Sequence, residues 1–256
     1  MDKTSTALLP SYHLVLPGFS RYTYSINVKE FDAQLATVAK YRSSLPGDCA
    51  LAFDDGHVSQ HHYGFPLVQK HGLRSIFFSI VGWIGKRTDY MTWPQLRELV
   101  TAGHDVQSHG LSHIPLTRCG DLELANELGR SRSELEQKLG VSIYAISIPF
   151  GRWNHRVMRA CALAGYRRVY TSDPVAQSWI CGVETVGRYA VSRTTTADQF
   201  SKVLAGDPRT LRRLRTKHRS KLLLRSLIGE GNYDRIWGIL GSRKSLVAAV
   251  EAQVEF

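Results

Sequence analysis

Two adjacent carboxylates, Asp54 and Asp55, close the apolar run Leu51-Ala52-Phe53 and are followed by Gly56. Neighbouring acids repel each other, so the placement suits a bound cation or a shared proton. A helix cap followed by an Asp-Gly turn is the alternative. Two histidines, His109 and His113, stand four apart in Ser108-His109-Gly110-Leu111-Ser112-His113. At that spacing both imidazoles can address one metal ion. His57 and His61 repeat the spacing, with His62 beside them; for these a solvated or packing role is expected. A third polar segment, Ile148-Pro149-Phe150-Gly151, reads as a tight turn whose backbone N–H groups can donate to an oxyanion.

The elements that must hold these groups alternate. Short β-rich runs are expected at Tyr12–Leu16, Cys49–Phe53, Ser75–Ile80, His104–Ser108, Tyr144–Ile148, Arg167–Tyr170 and Val186–Val191. Helical patterns lie between them at Val28–Tyr41, Val58–His71, Trp93–Ala102, Leu122–Leu139, His155–Ala164 and Ala197–Leu204. Gly72, Gly103, Gly140 and Gly165 follow four of these as C-terminal caps. Strict alternation with crossovers of this length calls for an α/β fold with a parallel sheet covered by helices. Seven such units favour a closed or nearly closed barrel over an open doubly wound sheet. In a parallel barrel functional groups gather where strands pass into loops, which is where all three polar segments fall. Neither GxGxxG nor GxxxxGK[ST] occurs.

In combination, FDDG, SHGLSH and IPFG in that order resemble the polysaccharide deacetylase family, the NodB-like carbohydrate esterases that remove N-acetyl groups from amino sugars. The resemblance runs from about Pro10 to about Asp173. It implies a distorted (β/α) barrel of about seven strands and one divalent metal ion, zinc foremost. Asp54 matches the family's catalytic base, Asp55 its metal-bound carboxylate, and His109 and His113 its metal-bound imidazoles. Two features depart from the pattern. The third motif commonly carries an arginine that orients the base, and that position here is Ser147, with Arg152 just beyond. The C-terminal leucine–histidine motif that supplies the general acid is absent, there being no histidine between His155 and His218. Poly-N-acetylglucosamine deacetylases, a subgroup with a circularly shifted motif order, share both departures and carry the acid histidine in an N-terminal Tyr-His strand. The sequence Ser11-Tyr12-His13-Leu14-Val15 matches that strand, which makes His13 the candidate general acid. A core histidine hydrogen-bonded inside the barrel is the alternative reading of His13.

The chemistry expected is amide hydrolysis, with Asp54 accepting a proton from water, the turn Pro149, Phe150 and Gly151 against the substrate, and His13 as imidazolium protonating the departing amine. The reaction expected is metal-dependent N-deacetylation of an N-acetylhexosamine-containing saccharide or glycoconjugate. Hydrolysis of another non-peptide C–N bond, or an inactive barrel that binds glycans, are the alternatives. Asp173 reads either as lining the site or as a loop cap.

The chain's 256 residues suit a catalytic barrel over 1–205 and a basic helical extension over 206–256. With 43% hydrophobic and 21% charged residues, global disorder and fibrous repeats are excluded. Cys49, Cys119, Cys161 and Cys181 form no CxxC pair and read as buried free thiols of a reducing compartment. With no recognisable signal peptide at the start, a cytoplasmic location is the expectation. The formal net charge of +11 is uneven: residues 201–256 carry 12 basic and 5 acidic side chains. Arg209 to Arg225 holds eight Lys or Arg and no acid, with Asp207-Pro208 as a helix start before it. This run is expected to be a solvated helix face or a peripheral contact with an anionic membrane at its inner surface. Nucleic acid is disfavoured, because no reader motif and no interleaved aromatics accompany the cations.

Overall fold

A computed structural model describes residues 7–229. In chain order its strands are β1 (Leu9–Tyr12), β2 (Leu14–Leu16), β3 (Ser25–Asn27), β4 (Leu51–Phe53), β5 (Ser75–Ser79), β6 (Asp105–Ser108), β7 (Ala145–Ser147), β8 (Arg168–Thr171), β9 (Gln177–Ile180) and β10 (Val183–Ala190). The helices are α1 (Val28–Lys40), α2 (Phe65–Lys70), α3 (Trp93–Thr101), α4 (Asp121–Leu139), α5 (His155–Leu163), α6 (Ala197–Leu204) and α7 (Pro208–Ile228). The chain divides into two compact units that part at Leu211, inside α7.

Seven strands, in the order β1-β4-β5-β6-β7-β8-β10, pair in parallel, and β1 closes on β10 to complete a barrel. Strands of such a barrel are covered on both faces, and Ser-Ile-Phe-Phe-Ser of β5 is buried at every position. Outward residues join the helices in one extended core, in which Phe53 and Phe77 stack at 4.7 Å and Tyr12 meets Phe31 edge-on at 4.9 Å. Inward residues Leu9, Ala52, Ile76, Phe78, Ala145, Tyr170 and Val186 form a second, smaller cluster, joined by Cys49 just before β4. The barrel is therefore filled by side chains. Each fully buried Phe or Leu contributes about 1.5–3 kcal/mol of apolar burial.

Helix starts follow local chemistry. Asn27 accepts from Lys29 N–H at 2.9 Å, Asn154 from Val157 N–H at 3.0 Å, and Asp207 from Thr210 N–H at 2.7 Å. Thr92 and Gln95 form a capping box at the start of α3. α4 ends at Gly140, φ 69°.

The structure departs from the expectations in several places. The first barrel strand is Leu9–Tyr12; residues 14–16 leave the barrel and pair with β3, so His13 sits at the break. The helix expected over Val58–His71 does run unbroken from Val58 to Lys70, but its Gln60–Gly64 stretch is π-helical before the regular turns of α2. Pro66 has no N–H to give the carbonyl four residues back, which disfavours regular α-helix across that point. A short antiparallel strand, β9, joins β10 through the two-residue turn Cys181-Gly182, both at positive φ (50° and 84°), as a type I′ hairpin requires. Cys181 is consequently half-exposed, whereas the other three free thiols are buried. Of the basic extension, residues 230–256 lie outside the described residues.

Candidate active site

β4 delivers Asp54 and Asp55 to one end of the barrel, and the backbone then separates them. Asp54 continues the ladder, its N–H donating to Tyr12 O at 2.9 Å. Asp55 adopts the left-handed region, φ 73°, which aims the two acids at different partners. They do not share a proton. Asp54 is buried, with both oxygens within 2.6 and 2.8 Å of Arg188 Nη1. Burial alone would raise the Asp54 carboxyl, but the Arg188 guanidinium, helped by His109 and His13, holds it well below the usual carboxylate range. It is a carboxylate at neutral pH.

Asp55 faces the histidine pair. Its Oδ1 lies 3.2 Å from His109 Nε2 and 3.4 Å from His113 Nε2, and the three ligand atoms all fall within 4.8 Å of one another. His109 follows β6, and its Nδ1 donates to Ser147 O at 2.8 Å, which leaves Nε2 turned to the carboxylate. Burial, with His109 adding to it, pushes His113 down to about 4, so its imidazole is neutral and able to ligate at pH 7. Burial also disfavours the charged form of His109, yet the hydrogen bond to Asp55 holds it above its ordinary value. One carboxylate oxygen and two imidazole nitrogens converging in this way form a donor set that fits a divalent ion of the zinc type.

His13, at the break after β1, brings Nε2 to 4.0 Å from Asp54 Oδ2. Burial lowers it, outweighing the pull of Asp54 and Asp55, so the ring is neutral at rest. Its Nδ1 is buried and has no hydrogen-bond partner among the described residues. Tyr24 stacks on the ring at 5.0 Å. After β7, Pro149-Phe150-Gly151 forms the tight turn, with Phe150 itself at φ 60° and its ring 4.7 Å from that of His113. Asp173 accepts from the Trp153 indole at 2.7 Å. His57 instead engages Ser59 at 2.9 Å, and His61 pairs with Glu98 at 2.8 Å; neither joins the cluster.

Three residues of the site were not anticipated from the sequence. Arg188, on β10, occupies the place left open by Ser147: its Nη2 donates to Ser147 Oγ at 2.8 Å while Nη1 holds Asp54. Its ring neighbours are Phe78 and Tyr170 inside the barrel. A lone arginine within the apolar strand Val183–Ala190 was the available signal. Arg152 lies over the Phe150 ring at 5.9 Å. Glu127 of α4 is buried and accepts from Leu111 N–H (2.9 Å), Ser112 N–H (3.1 Å) and the Ser112 hydroxyl. It thereby fixes the loop that carries His113, itself at φ 58°. Gln60, placed by the π-helical turn, donates from Nε2 to the carbonyls of His13 (2.8 Å) and Asp54. Nothing in the sequence marks Glu127 or Gln60.

Carboxylates and imidazoles gathered at the C-terminal ends of parallel barrel strands place the chain in a recognised class. The family model described as polysaccharide deacetylase matches residues 43–169. Bacillus subtilis (strain 168) YxkH, itself named a polysaccharide deacetylase only provisionally, is 26% identical over 216 residues, which is 78% of this chain and 76% of that protein. A chitooligosaccharide deacetylase of Sinorhizobium fredii is 28% identical over 151 residues, covering 57% of this chain and 66% of that one. Among solved structures, the Streptococcus pyogenes deacetylase PplD, in complex with acetate, has the same fold with a TM-score of 0.68 at 19% identity, over 77% of this chain and 98% of its own. Sequence and fold together support membership of the polysaccharide deacetylase family.

Proposed function

We propose that this protein is a metal-dependent N-deacetylase acting on an N-acetylhexosamine-containing saccharide or glycoconjugate. The observation that carries the reading is the juxtaposition of two sets of groups: Asp54 with Arg188 and His13, beside Asp55 with His109 and His113. The chitooligosaccharide deacetylase relative supports an acetylated amino sugar as the substrate class.

A divalent ion held by Asp55, His109 and His113, zinc foremost, would polarise the acetamide carbonyl and acidify water at the site. The chain's own residues do the proton work. Asp54, kept ionised by Arg188, takes the proton of the attacking water. His13, neutral at rest, stands 4.0 Å away to receive that proton as the C–N bond breaks, and gives it to the departing amine. Acetate and a free amino sugar are the products, and both side chains return to their starting states. The Phe150 N–H, in its left-handed turn beside His113, would donate to the oxyanion that forms as water adds.

The test is acetate release by the purified protein from N-acetylglucosamine oligomers, nucleotide sugars and glycolipids. Asp54→Asn and His13→Ala are each expected to lower turnover about 10²–10⁴-fold while metal content stays unchanged. An inert wild type that holds stoichiometric metal overturns the reading in favour of a glycan-binding barrel. Turnover of His13→Ala within about threefold of wild type removes His13 alone from the mechanism.

A further inference from the structure

The basic run Arg209–Arg225 takes no part in the chemistry above, and α7 shows what it presents. No described helix is long and apolar enough to cross a membrane. Burial along α7 is one-sided: Leu211 is buried, and Leu214, His218, Arg225 and Ile228 are half-buried at three- and four-residue steps with one longer gap. Arg212, Arg213, Lys217 and Arg219 are exposed, and toward the end of the helix so are Leu223 (61%) and Leu227 (74%), with Leu222 and Leu224 near half exposure. The free side of the helix thus runs from cations to leucines, with no acid between Arg209 and Arg225.

We infer that this face of α7 docks on an anionic lipid surface. The cations meet phosphate headgroups, worth about 1 kcal/mol each near such a surface, and Leu223 and Leu227 enter the acyl boundary, where each leucine leaves water. Charge complementarity names the occupant. A second copy of the same helix would repel, and a nucleic acid would use the arginines but not the leucines. Nucleic-acid surfaces of this kind also stack bases on aromatic rings, and residues 208–229 contain no Phe, Tyr or Trp. The inference is independent of the deacetylase reading.

Cosedimentation of the full chain with vesicles tests it, comparing phosphatidylcholine alone with phosphatidylcholine containing phosphatidylglycerol. Binding to the anionic vesicles is expected to be at least about tenfold tighter and to weaken as salt is raised. The joint reversal Arg212→Glu, Arg213→Glu, Lys217→Glu and Arg219→Glu should abolish it. Leu223→Ser with Leu227→Ser should weaken it several-fold and leave the salt dependence in place. Equal partition into both vesicle types by the unmodified chain overturns the inference without recourse to any variant. So does tight binding to a duplex or single-stranded oligonucleotide with none to the anionic vesicles.

Discussion

Arg188 and Asp54 lie 134 residues apart in the chain and meet inside the barrel through two contacts, 2.6 and 2.8 Å, from one guanidinium nitrogen. The pair is almost wholly shielded, with side-chain exposures of 3% and 5%. A buried carboxylate that loses its cation is left uncompensated, and its affinity for a proton rises.

Arg188→Ala should therefore cost about 3–5 kcal/mol of stability and lower deacetylation about 10²–10⁴-fold, since Asp54 would hold a proton more readily and lose its fixed orientation. Arg188→Lys should restore part of the stability but less of the activity, because a lysine cannot hold Asp54 and Ser147 Oγ together. Unfolding midpoints and turnover measured side by side check this. Wild-type turnover in Arg188→Ala removes the arginine from the site's chemistry.

Chelation should lower the unfolding midpoint, and restoring zinc should raise it. An ion at a hundred times its dissociation constant stabilises the folded state by about 2.7 kcal/mol. Asp55→Ala and His113→Ala should each abolish that response, because three donors are all the cluster offers among the described residues. A midpoint indifferent to chelator in the wild type contradicts the metal assignment.

Glu127 touches no candidate ligand directly, yet it accepts three hydrogen bonds from the loop between His109 and His113. Glu127→Ala is expected to weaken metal binding about 10–100-fold. Glu127→Gln keeps an acceptor for both N–H groups and should recover most of the affinity. Titration of zinc into both apo variants reads this directly, and equal affinity in wild type and Glu127→Ala counts against it.

His104 supplies a pH dependence away from the site. Its Nδ1 accepts from Ser75 N–H at 3.2 Å, and Phe65 and Phe77 pack edge-on against the ring. Burial, with Arg74 adding, lowers it below the ordinary 6.5. The folded state thus binds fewer protons than the unfolded chain. The stabilisation is complete above the unfolded value and is lost as pH falls through 6.5 toward the lower folded value. Unfolding midpoints taken from about pH 7.5 to about pH 5 should fall on acidification. The fall should be shallower in His104→Gln, and an unchanged slope in that variant assigns the effect to other histidines.

Much of the fold was legible because parallel strands and their helices announce themselves by composition. Six of the seven barrel strands and five of the helices begin and end within about three residues of their expected positions. The candidate site was legible too, since Asp54, Asp55, His109 and His113 lie beside strand ends in recognisable strings. What escaped was long-range. Nothing local tells Arg188 that its partner is Asp54, because closure of β10 on β1 creates their proximity. The break at His13 escaped because Tyr12 to Leu16 alternates like one strand, whereas β1 and β2 belong to different sheets.

Asp55, His113 and Phe150 share an unusual trait: each is a non-glycine residue at positive φ, and all three sit at the same end of the barrel. Each such residue costs about 1–2 kcal/mol relative to a relaxed backbone. The most active version of this sequence is therefore not its most stable one. Glycine or asparagine at these three positions would relax the backbone while discarding the chemistry. A lineage released from the need to hydrolyse amides would drift toward those residues first, and gain heat resistance as it did.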